Sequence, residues 1–150
     1  METSYLYPKN MTIVTDCFRH GWTAYGDEPI LIVELDAVDR HTIEQWLAFT
    51  IDLRSNWPDA AKPIYSIMDL SKNDVSMTHL AQKGVHDLSQ YNPDLITHTG
   101  LVTQQSVLGT ILNTTTTLLS RTMKTFNIRV FNNHDKAFQW LVGLMEQNQH

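Results

Sequence analysis

Two apolar runs with a helical repeat between them constrain this chain more than any other feature. The first is Ile30-Leu-Ile-Val-Glu-Leu35 and the second is Pro63-Ile-Tyr-Ser-Ile-Met68. The first run is rich in β-branched residues and barely alternates, which fits a strand covered on both faces. Between the runs Ile43, Trp46, Leu47, Thr50, Leu53 and Trp57 recur at helical intervals, and Pro58 stops the helix. Asp39 or Thr42 can cap its start, and Thr42 with Gln45 has capping-box spacing. Strand, helix and strand in that order predict a parallel pair joined by a helical crossover.

The pattern continues on both sides. Met11 to Phe18 and Gly21 to Gly26 read as two short strands, with turns at Gly21 and at Gly26-Asp-Glu-Pro29. Ser76 suits the N-cap of a second helix that places Met77, Leu80, Ala81, Gly84 and Leu88 on one face. A glycine in a helix interior costs about 1 kcal/mol, so Gly84 on that face implies a close approach to the sheet. Leu95 to Thr103 is a further strand and Asn127 to Phe131 a last one. Asn133 then caps a final helix with Phe138, Leu141, Leu144 and Met145 as its core stripe. The expected fold is α/β: a five- to six-stranded mixed, mostly parallel sheet with four helices and an antiparallel N-terminal edge. Residues 1–10 read as a flexible arm, residues 11–146 as one domain and residues 147–150 as a tail.

The stretch Asn113-Thr-Thr-Thr-Thr-Leu-Leu-Ser-Arg-Thr122 sets propensity against periodicity. Threonine is a mediocre helix former. Yet Leu108, Ile111, Leu112, Thr115, Leu119, Thr122, Met123 and Phe126 fall on one helical face. Periodicity therefore predicts a helix from about Gln105 to Phe126. A phosphate loop would need glycines, and none stands between Gly109 and Gly143.

At 150 residues the chain fits one domain. Its net charge is -5, and it has no run of Lys or Arg. Phosphate backbones and anionic membranes need a positive field, so neither is an expected partner. No stretch approaches the ~18 apolar residues of a membrane span, and the first ten residues lack the pattern of a signal peptide. A cytoplasmic location is expected. The single cysteine, Cys17, lies beside Asp16 and reads as a buried strand residue, because a neighbouring acid disfavours the thiolate.

Chemistry-bearing residues are scattered. His79 and His86 stand seven apart on one expected helix, roughly 10 Å along its axis, too far for one metal. His98 reads as a hydrogen-bonded strand histidine. Asp36 and Asp69 each follow an apolar strand, where open α/β sheets form their ligand crevice. They are the candidates for an Mg²⁺-dependent enzyme, but no glycine-rich phosphate loop accompanies them. GxSxG, HExxH and GxGxxG are absent. No cofactor is expected, and the chain reads as a non-enzyme.

The run Ile67-Met-Asp-Leu-Ser-Lys-Asn-Asp-Val-Ser-Met77 resembles STAS-type domains, the anti-sigma-factor-antagonist fold of bacteria. In those domains a strand ends in Asp-Leu-Ser, and a short loop leads to a helix that begins with a phosphorylatable serine. The ending from Asn127 to Leu141, with Val130-Phe131 and then Asp135-Lys-Ala-Phe-Gln-Trp-Leu141, is similar too. The Asp-Ser-Ser-Gly of the regulated antagonists is replaced here by Val75-Ser76-Met77-Thr78. The resemblance implies a non-catalytic regulatory domain that binds a protein partner through the surface from Ser71 to His79. Ser71, Ser76 and Thr78 are its contact or phosphoacceptor candidates. It also implies an alternative, a small-molecule or lipid carrier with a pocket between helices and sheet lined by Trp46, Trp57, Tyr65 and His98. A homodimer through an exposed helix face or an edge strand is compatible with both.

Overall fold

The computed structural model describes residues 5–37, 39–72, 84, 86–88, 90–104 and 125–148. Six strands form one sheet whose spatial order follows the sequence: β1 (Thr12–Thr15), β2 (Phe18–Tyr25), β3 (Glu28–Leu35), β4 (Ile64–Asp69), β5 (Thr97–Val102) and β6 (Phe126–Phe131). The first three pair antiparallel, and β3 to β6 pair parallel. Three helices lie among the described residues: α1 (Arg40–Ser55), α2 (residues 84 and 86–88) and α3 (His134–Asn148). The expected helix from Gln105 to Phe126, with its threonine run, falls outside the described residues up to position 124; Phe126 itself opens β6.

The poor alternation of Ile30 to Leu35 has a direct cause. Leu31, Val33 and Leu35 pack with Ile43 and Trp46 of α1, while Ile30 and Ile32 pack with Phe138, Leu141 and Val142 of α3. The strand is covered on both faces, so both sets of alternate residues are apolar. Helix α1 begins after Asp39, whose carbonyl accepts from the Ile43 amide at 3.0 Å. It ends at Ser55, before Pro58. At α3 the Asn133 Oδ1 accepts from the Lys136 amide at 2.9 Å, the N-cap bond that frees the helix start from an unpaired donor.

Two glycines let helices sit close. A Cβ on Gly100 of β5 would lie 2.8 Å from the Ala137 Cβ of α3. Only a bare backbone fits there. A Cβ on Gly84 would lie 2.5 Å from Leu47 Cδ1. The close approach expected at Gly84 is therefore real but is made to α1, because the side chain opposite it belongs to that helix.

Two expectations at the N-terminal edge are corrected. The β1–β2 turn is at Asp16 and Cys17, so Cys17 is a half-buried turn residue rather than a buried strand one. The turn is held by the Cys17 amide donating to Thr15 Oγ1 at 3.1 Å. Gly21 lies inside β2, because Met11 and Pro8 pack over it where a side chain would stand. Tyr5 and Tyr7 of the arm make hydrogen bonds described below.

Among the described residues Arg54 is the largest fully buried side chain, with 1% of its surface exposed. It stands near the end of α1 and reaches the loop that precedes β5. Its Nε donates to the Tyr91 carbonyl at 3.1 Å, and one terminal nitrogen donates to the Asn92 and Leu95 carbonyls at 3.2 Å each. The other donates to Thr97 Oγ1 at 2.6 Å, and the guanidinium lies 4.6 Å from the Phe126 ring centroid. Asn92 adopts a positive φ of 55°, and its side-chain Nδ2 donates to the Arg54 carbonyl. Burial pushes the guanidinium pKa down.

Candidate functional site

The carboxyl ends of the parallel strands gather a polar cluster on the α3 side of the sheet. Register puts it there. Arg19 of β2 pairs with Glu34 of β3, and Glu34 pairs with Asp69 of β4. Partners in register share a face, with strands about 4.8 Å apart. Two neighbouring carboxylates on one face repel, so each needs a counter-charge or donors. The sequence supplies these from both sides.

On one side, Arg19 donates to Asp36 Oδ1 at 3.0 Å and lies 3.7 Å from Glu34 Oε1. Its hydrogen bond to Asp36 raises its pKa further. Lys72 reaches the other Asp36 oxygen at 3.4 Å. The Tyr7 hydroxyl donates to Glu34. Burial and that bond push the Tyr7 phenol up to about 12.

On the other side, His134 opens α3 and its Nε2 lies 2.7 Å from Asp69 Oδ2. The Tyr5 hydroxyl lies 2.8 Å from His134 Nδ1. Burial first, then the nearby Tyr7 and the acids, raise the Tyr5 phenol well above its ordinary value, so it stays a neutral donor. The imidazole thus bridges the Tyr5 hydroxyl and the Asp69 carboxylate. Asp69 Oδ1 accepts from the Ser71 amide at 2.8 Å and from Ser71 Oγ at 2.5 Å. Burial opposes ionisation of Asp69, but the bonds from His134 and Ser71 outweigh it and hold the carboxyl below its usual range. Gln104, just past β5, donates to the Ser71 carbonyl at 2.6 Å.

Among the described residues the cluster's charges are paired with one another. A carboxyl–imidazole–phenol chain has the connectivity of a proton relay, but its terminal phenol is hard to ionise and is a poor nucleophile. Asp36 and Asp69 each have protein partners that an Mg²⁺ ion would need to displace. No group of three or more His, Cys, Asp or Glu side chains that could hold a metal is found among the described residues.

Of the residues singled out from sequence, Ser71 sits in this cluster. Ser76, Thr78 and His79 lie outside the described residues. Tyr65 and His98 come together on the α3 side, their rings stacked with centroids 5.4 Å apart. Asn127 lies 3.0 Å from His98 Nδ1, so this histidine is hydrogen-bonded as expected. Trp46 lies in the core on the α1 side, and Trp57 stacks on Trp22 of β2. The four do not line one pocket, because strand alternation sends Tyr65 to the face opposite α1. A recess of about 220 Å³ opens beside Tyr65, between Lys62, Met145 and Asn148. That is below the ~300 Å³ at which ordinary ligand sites begin.

Sequence reasoning missed Tyr5, Tyr7, Arg19 and His134. His134 follows β6 just as Asp69 closes β4, which was the available signal. Strand ends of one parallel sheet share an edge, so chemistry-bearing residues there are candidates to meet.

The histidines predict a pH response. Burial lowers the pKa of His20, which stacks on Phe49 at 4.1 Å, and of His98. The unfolded chain then takes up protons near pH 6.5 while the folded one does not, so stability falls as pH drops below about 6.5. Asp69 acts lower: its contribution is present above about pH 4 and is lost as pH falls through its depressed folded value. Thermal unfolding at pH 7.5 and 5.5 should show a lower midpoint at pH 5.5, with a smaller drop for His20→Phe. An equal drop in that variant would remove His20 from the account.

No family model, curated protein or solved structure matches the chain. No helix among the described residues is long and apolar enough to cross a membrane.

Proposed function

We propose that this is a STAS-like, non-catalytic regulatory domain that binds a protein partner through the loop leaving β4, from Ser71 toward His79. The observation that carries this reading is the anchoring of Ser71. Its amide and hydroxyl are both held by Asp69, and its carbonyl is held by Gln104. Asp69 is in turn fixed by α3 through His134. A Ser71 held at its amide, hydroxyl and carbonyl is a pre-ordered contact point, which lowers the ordering cost of binding there. The non-catalytic part draws support from the strand-end acids, whose charges are already paired within the protein. The likeness of Ile67 to Met77 to STAS-type domains supports a bacterial, cytoplasmic setting and makes Ser76 or Thr78 the phosphoacceptor if the domain is regulated that way.

Affinity capture from cells of origin, read by quantitative mass spectrometry, tests the surface. The triple variant Ser71→Ala, Ser76→Ala, Thr78→Ala should lose at least one partner roughly tenfold, equivalent to about 1.4 kcal/mol. Retention of every partner at wild-type level would overturn the assignment.

A further inference from the structure

Strand β1 closes one edge of the sheet, and its outer side pairs with nothing among the described residues. Exposed edges recruit other strands, and the short length and bulge of this one limit the pairing to a few residues. Here the edge is decorated with apolar groups. Ile13 is 70% exposed and Val14 40%. Leu6 and Tyr7 of the arm are 71% and 50% exposed. Tyr7 is bonded to Glu34, Glu34 pairs in register with Arg19, and Arg19 pairs with Ile13. The Tyr7 hydroxyl thus lies on the same face of the sheet as Ile13, two strands in.

The edge is also self-complementary. The strand reads Thr12-Ile13-Val14-Thr15, nearly the same from either end. An irregularity between Ile13 and Thr15 adds one residue to β1 relative to β2. Because of it, Thr12 pairs with His20 and Thr15 pairs with Phe18, two residues on the α1 side. Both threonines therefore face α1, while Ile13 faces the other way with Arg19. A two-fold axis normal to the sheet brings Thr12 opposite Thr15 of a second copy and Ile13 opposite its Val14. Cross-strand threonine pairs and β-branched pairs are favourable neighbours.

We propose that β1 pairs antiparallel with β1 of a second copy of this chain, joining two six-stranded sheets into one. The contact is short, so the dimer is a concentration-dependent one of modest affinity. Sedimentation velocity from about 1 to 300 µM should show a shift from the 17.3 kDa chain toward twice that mass. The variant Ile13→Lys, Val14→Lys should weaken the association at least tenfold. Both side chains are solvent-facing, so its thermal midpoint should stay close to that of the monomeric wild type. Hydrogen exchange of wild-type protein gives a second reading that needs no variant: protection at Thr12 to Thr15 should grow with protein concentration. A wild type that stays monomeric throughout, a lysine variant that dimerises as well as wild type, or β1 amides whose exchange is indifferent to concentration would each overturn the proposal.

Discussion

Arg54→Met is expected to lower the free energy of unfolding by about 3–5 kcal/mol, a large fraction of the ~5–15 kcal/mol that holds an ordinary domain together. Methionine would fill much of the volume and keep the helix. It would donate nothing to the Tyr91, Asn92 and Leu95 carbonyls or to the Thr97 hydroxyl. Each buried polar atom left without a partner costs about 1–3 kcal/mol, and the Asn92 carbonyl loses least because the Leu95 amide also donates to it. Arg54→Lys should restore little. An ammonium is a single point of donors and cannot reach carbonyls spread along a loop as a planar fork does. Urea unfolding of the three proteins checks this. A loss under about 1 kcal/mol for the methionine variant would show that the loop finds water or other donors.

The second large effect is expected at Gly100. Gly100→Ala places a methyl 2.8 Å from the Ala137 Cβ, well inside the ~3.5–4.0 Å of a relaxed carbon contact. Helix α3 must move off the sheet or the strand must bend, at about 2 kcal/mol. The cause is testable by compensation. Ala137→Gly alone costs about 1 kcal/mol in helix propensity. If the clash is the reason, the double variant should be no less stable than Ala137→Gly, and the two changes should couple strongly. Simple additivity would mean that Gly100 is needed for some other reason, such as its backbone conformation.

Much of the fold was legible because its signals are local. The run from Ile30 to Leu35 announces a strand covered twice, and Pro58 marks where α1 has to have ended. Asn133 announces the start of α3. The less legible parts rest on partners far apart in sequence. Nothing near Gly21 says that Pro8 and Met11 will pack over it, so it was read as a turn. Nothing near Tyr5 says that it will meet a histidine 129 positions later. Arg54 left a trace that could have been used, since it stands in α1 eight residues after Trp46, where the helical repeat calls for an apolar side chain. A cation in that register has to find buried acceptors. The candidate site was legible only in part: Asp69 was read as a strand-end acid and His134 was missed, because only the register of the sheet brings them to one edge.

The strand order has a consequence for how the chain assembles. Each strand pairs with the one made just before it, so the sheet can grow from one side without leaving a gap to be filled later. The β1–β2, β2–β3 and β3–β4 pairings each close only a single connecting turn or helix, and their loop-closure entropy is met in small steps. The tie from Tyr5 to His134 is the exception, spanning nearly the whole chain. Its acceptor enters last, with α3, on the sixth strand's far end. The first described residues of the protein thus wait for some of its final ones, and the docked arm is a mark that the sheet and its last helix are already in place.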